Sequence, residues 1–163
     1  MATIQFKKGD AYMAKLEKLA KESQKSVCGP AIYNAADLVA NEIRKQLKSV
    51  PSDETWGTTG NPANGPSKIQ KRGLYNSLGI AKMRDEDGFL NVKIGFDGYN
   101  ELNTKRWPRG QPNQMVARSV ERGTTYMEGH AFVKKAMSKA RKPALAEMQK
   151  TADEEIEKIM KGK

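Results

Sequence analysis

The chain has 163 residues, a net charge of +10, one Cys and one His. That length suits a single domain, expected here to span 1–163, but with 37% hydrophobic residues and a mean hydropathy of −0.75 the core must be modest. One Cys excludes an internal disulfide, and one Cys with one His excludes a Cys/His zinc site. Residues 1–8 lack the apolar core of a signal peptide, and no apolar run approaches the ~20 residues that span a bilayer. With Cys28 free, the expectation is a protein made in a reducing cytoplasm, with no membrane partner.

The positive excess is spread: +4 over residues 1–50, +3 over 51–125 and +3 over 126–163. Diffuse charge of this kind raises affinity for nucleic acid or acidic protein surfaces without choosing between them.

In chain order, the first element runs from Asp10 to Gln24. Asp10 is placed to cap a helix whose apolar positions are Met13, Leu16, Leu19 and Ala20, ending before a break over 24–29. Residues 1–27 thus read as an N-terminal amphipathic arm, and 28–163 as the core. Gly29-Pro30 opens the strongest helix, with Pro in its first turn. Its stripe is Ile32, Ala36, Val39, Ile43 and Leu47, flanked by Ala35 and Ala40, and Pro51 ends it.

Residues 51–72 read as a long loop, richest in Gly and Pro over 51–68. Trp56 is its only large apolar side chain, an anchor either onto the domain or onto a partner. Leu90, Val92, Ile94 and Phe96 alternate as one half-buried strand, with Leu78, Ile80 and Met83 suggesting its partner and Asp87-Gly88 the turn. A second loop covers 97–114 and carries Lys105, Arg106, Trp107 and Arg109, cations beside an aromatic. A short strand is expected over 115–121 around Val116 and Val120. From Ala131 a helix runs through Phe132, Ala136 and Ala140 to Ile156 and Ile159, kinked or split at Pro143. The class is α+β: an antiparallel sheet on a long helix, with N- and C-terminal helices and long loops.

No constellation for chemistry assembles, and no catalytic, cofactor-binding or metal-binding residue is assigned. Gly60 and Gly65 have phosphate-loop spacing, but Pro66-Ser67 follows where Lys and Ser or Thr are required. His130 has Glu128 close in sequence and Ser119 or Thr124 as conceivable nucleophiles, but nothing in the pattern fixes their geometry, and it reads as a residue leading into the last helix. Cys28 without a paired His reads as a small apolar filler. Asp85, Glu86 and Asp87 form one short turn, a poor cation cage.

Several short segments together resemble the tail-component family of tailed bacteriophages, typified by the gene-ten product of lambdoid siphophages. A helix similar to Ala31–Leu47 and a Gly/Pro-rich loop precede Lys71-Arg72-Gly73-Leu74-Tyr75-Asn76-Ser77-Leu78, which resembles the family's TG-x-L-x-x-S-I. Val120-Glu121-Arg122-Gly123-Thr124 resembles V-E-x-G-T, and Ala131-Phe132-Val133-Lys134-Lys135-Ala136 resembles Pro-Phe-Leu-x-x-Ala. The chain departs at Arg72, where the family has Thr, and at Ala131, where it has Pro. In local terms Gly73 and Gly123 suit tight turns, Leu74, Leu78 and Phe132 suit a core, and Ser77 suits a turn cap.

The resemblance implies a non-enzymatic virion protein of neck or tail, a terminator or completion protein, made in the host bacterial cytoplasm. Its partners would be its own copies in a ring, a hexamer, together with the tail tube and neck or head-completion proteins. It implies no cofactor and no small-molecule substrate. DNA would pass through the ring, so the Lys/Arg excess is expected to face outward or toward acidic neighbours. Trp56, Lys105, Arg106, Trp107 and Arg109 are the candidate assembly contacts. The alternative is a basic nucleic-acid-binding protein, although no helix-turn-helix, RNA-recognition or zinc-finger pattern is present.

Overall fold

The structure, a computed structural model, describes residues 9–161. Its elements are helices α1 (Gly9–Glu22), α2 (Gly29–Ser49), α3 (Lys68–Ser77), α4 (Asn113–Arg122) and α5 (Phe132–Lys161), with strands β1 (Leu78–Ile80), β2 (Arg84–Glu86), β3 (Phe89–Asn91) and β4 (Ile94–Phe96). Strand β1 pairs with β4 and β2 with β3, both antiparallel. The α+β class expected from the sequence is the one observed.

The frame is an antiparallel pair of long helices. On α2, Ala31, Ala35, Ala36 and Ala40 are buried, and α5 answers with buried Ala136, Ala140 and Ala144. Small side chains let two helices approach closely, so little volume is needed to exclude water between them. Asn34 donates to Thr151 across the pair at 3.1 Å. At the C-terminal end of α2 lies the main core, where Ile43, Leu47 and Val50 meet Leu74, Leu78, Val116, Val120 and Phe132. Phe96 from β4 stacks edge-on to Phe132, with ring centroids 5.9 Å apart. Leu74, Leu78 and Phe132 are therefore core residues, as their motif positions suggested.

Several expectations are corrected. The chain does not break over 24–29: a π-helical segment, Ser23–Cys28, carries α1 directly into α2. Cys28 is exposed there and fills no apolar gap. The loop 51–72 ends early, because Ser67 accepts from the Gln70 N–H while Gln70 Oε1 accepts from the Ser67 N–H, a capping box that starts α3 at Lys68. Gly73 then lies inside α3 and makes no turn. It is needed because a Cβ there would sit 2.5 Å from the Asn100 Cβ. The strand expected over 115–121 is helix α4; Val116 and Val120 are four apart, so both reach the core from one helical face.

The single strand expected over 90–96 is two short ones. Ile80 pairs with Ile94 and Arg84 with Asn91, so three residues of one arm face two of the other. That extra residue is a bulge, held by the Met83 N–H donating to the Tyr33 hydroxyl at 2.8 Å. Met83 therefore lies in the bulge and not in a strand. Beyond it the β2–β3 ribbon projects with its first arm wholly exposed, closed by Asp87 and Gly88, both at positive φ (55° and 84°). Lastly, α5 is one element through Pro143 and is not split there.

Two family-like segments meet at the start of α5. Both oxygens of Glu121 accept backbone N–H groups of its first turn, Val133 at 2.7 Å and Lys134 at 3.0 Å. The backbone carbonyls of Val120 and Glu121 accept from His130 and Ala131. Glu121 thus serves as a side-chain cap with favourable charge at a helix N-terminus.

Candidate assembly surface

The two long loops are built, not slack. Asp53 organises the first: one carboxylate oxygen accepts from the Thr55 N–H and hydroxyl, the other from the Asn64 N–H. These hydrogen bonds, with the Thr55 hydroxyl foremost, hold its pKa below the ordinary carboxylate value. Glu54 accepts from the Lys68 N–H at the start of α3, and Ala63 exchanges backbone bonds with Tyr126 and Glu128. In the second loop, Asn100 Oδ1 accepts from Leu102 and Gln111, and Asn113 Nδ2 donates to the Asp97 carbonyl.

Between these loops, α3 and α4 lies a cleft of about 520 Å³. Trp56 and Tyr126 stand on it with 74% and 59% of their surface exposed. Ile69, Met115 and Leu102 add apolar lining, while Asp53 and Glu54 are the charged residues that line it.

The structure separates the five candidate contacts into two groups. Trp56 belongs to the cleft. Lys105, Arg106, Trp107 and Arg109 share a turn further along the second loop, in which Thr104 and Trp107 exchange backbone hydrogen bonds of 3.0 Å each. Lys105 and Arg106 are exposed at its tip, and the Arg106 guanidinium lies 5.8 Å from the centre of the half-buried Trp107 ring. The base of the same loop reaches the cleft, where Leu102 and Gln111 line it.

Sequence reasoning missed three surface features. Phe89, at the ribbon tip, is 77% exposed and Tyr99 is 65% exposed; Phe89 follows an Asp-Gly turn directly, a position that points a side chain away from any core. Tyr126 lies between the segments Val120–Thr124 and Ala131–Ala136 and belongs to neither. The third is electrostatic. Lys134, Lys135, Lys139, Arg141 and Lys142 fall within nine residues of α5 with no acidic residue among them, and none is in a salt bridge among the described residues. Lys45 and Lys48 stand at the same end of the helical pair. Averaging charge over 126–163 hid this, because Asp153, Glu154, Glu155 and Glu157 offset it further along the same helix.

His130 approaches the Asn64 carbonyl at 3.1 Å, a backbone oxygen and not a carboxylate. No group of three or more metal-ligating side chains occurs among the described residues, and no described helix is long and apolar enough to cross a membrane. No family model matches the chain, and no curated protein or solved structure matches it.

Proposed function

We propose that this chain is a structural subunit of a tailed-bacteriophage neck or tail, one that assembles into a ring of six copies joining the tail tube to the head. It is a terminator or completion protein, made in the host cytoplasm and resident in the virion. The observation that carries this reading is the placement of apolar surface. Trp56, Phe89, Tyr99 and Tyr126 are mostly exposed, and all four lie on ordered loops or the projecting ribbon. Large aromatic side chains held out on ordered backbone are what interfaces use as anchors. The resemblance supplies the class of assembly, and its segments coincide with structural joints: Glu121 on the start of α5, Leu74 and Phe132 in the core.

Electron microscopy of the purified protein, alone and with tail tubes, tests it. Closed rings, free or seated on tube ends, are expected. A protein that stays monomeric and never binds tubes or neck proteins would overturn the reading.

The basic stretch of α5 favours one second reading, nucleic-acid binding. Five cations without an acid between them, on a helix face open to solvent, suit a phosphate backbone.

A further inference from the structure

The monomer carries two unlike patches whose chemistries complement each other. In a chain of net charge +10, the cleft beside Trp56 is locally acidic: Asp53 and Glu54 line it, and no Lys or Arg does. Its walls are aromatic and apolar, with Trp56, Tyr126 and Met115 open to a partner. The turn at Thr104–Trp107 is the converse. Lys105, Arg106 and the following Arg109 are exposed, and none is in a salt bridge among the described residues. Trp107 is fixed beneath the Arg106 guanidinium by the two backbone bonds that close the turn. A preordered turn loses little entropy on docking.

The turn does not line the cleft of its own chain, although the loop that bears it starts and ends there at Leu102 and Gln111. We propose that the Lys105–Arg109 turn of one copy docks in the Trp56 cleft of a second copy, with Arg106 and Arg109 facing Asp53 and Glu54, and Trp107 against Trp56 and Tyr126. The inference deepens the ring reading and rests on it. Such a contact joins two different patches, the kind of interface from which closed rings are built. Opposite charges also set which patches meet and at what rate.

Charge reversal tests this. Glu54→Lys alters the cleft, and Arg106→Glu with Arg109→Glu alters the turn; all three side chains are exposed, and circular dichroism checks that each variant folds. Assembly is followed by mass photometry, alone and with tail tubes. Each variant alone should associate about ten-fold more weakly or worse than the wild type. An equimolar mixture should recover assembly in part, since native turns then meet native clefts and each Glu-bearing turn meets a cleft in which Lys at 54 offsets Asp53. Trp107→Ala should weaken association without rescue by mixing. Rings that form equally well from both variants, or a mixture no better than its components, would overturn the docking while leaving the ring itself standing. A wild type that assembles under neither condition would overturn both.

Discussion

At the residue scale, Ala131 is the position where the backbone and the family resemblance pull apart. Its φ is +47°, a left-handed conformation that costs an L-residue about 1 kcal/mol. Its N–H also donates to the Glu121 carbonyl. Proline, which the resembling family has here, fixes φ near −65° and has no N–H, so this chain turns into α5 by another route. Ala131→Gly should therefore stabilise the fold by up to about 1 kcal/mol, and Ala131→Pro should destabilise it by about 3 kcal/mol or more. Denaturant unfolding of the two variants measures both signs. Glu121→Ala removes two charge-assisted bonds from the start of α5 and should cost about 1–2 kcal/mol in the same assay.

Asp53 gives a prediction with a pH sign. Its pKa in the folded chain is lowered by the Thr55 and Asn64 hydrogen bonds, so the carboxylate favours folding above its unfolded pKa of about 3.9. That contribution disappears as pH falls through the lower, folded value. Asp53→Asn should lower the melting temperature at pH 7, and the gap from wild type should close progressively below about pH 4. A gap that persists unchanged into acid would show that the loop does not depend on the charge.

At the element scale, the helical pair α2/α5 depends on small side chains. Ala140 is 3% exposed within it, and Ala140→Leu should push the helices apart at a cost of about 1–3 kcal/mol. Pro143 is exposed in the middle of α5, with no N–H to offer the preceding turn. Pro143→Ala should stabilise by about 3 kcal/mol, the usual penalty for proline in a helix interior. A loss of stability would show that the proline sets a bend on which packing depends.

The same elements show what was legible beforehand. Helix α2 could be read because its stripe of Ile, Val, Leu and Ala positions repeats at helical spacing for about four turns and is bounded by Gly-Pro and Pro. Helices α3 and α4 could not: each has ten residues, and with so few core positions, Leu74 in α3 and Val116, Ala117 and Val120 in α4, periodicity cannot separate helix from strand. The Ser67–Gln70 capping box was the available signal for α3. The bulge between Ile80 and Arg84 left no trace in the pattern of the second arm, whose alternation continues unbroken across it. Of the candidate contacts, the basic turn was legible from composition, whereas the cleft was not, because Trp56, Ile69, Met115 and Tyr126 come from four separate segments.

At the scale of the whole molecule, the +10 charge is uneven in a way the sequence averages concealed. The first half of α5 is basic, the second half carries all of that helix's acid, and the cleft is a small acidic site on a basic protein. If the α5 face binds DNA, affinity should fall steeply with salt, and Lys135→Glu with Lys139→Glu should flatten that slope by about two charges. Negligible binding near physiological salt would remove the nucleic-acid reading. In a ring that conducts DNA, the same face is expected on the outside or against an acidic neighbour, since a cationic lumen would retard the strand.

The central claim, that this chain is a ring-forming joint of a phage neck or tail, is tested most directly by cryo-electron microscopy of the wild-type protein incubated with tail tubes. The account predicts closed rings of a single stoichiometry at tube ends, with density at the Trp56 cleft from the adjoining copy. Monomers that leave the tubes bare, at concentrations where the neck or tail would assemble, would contradict it.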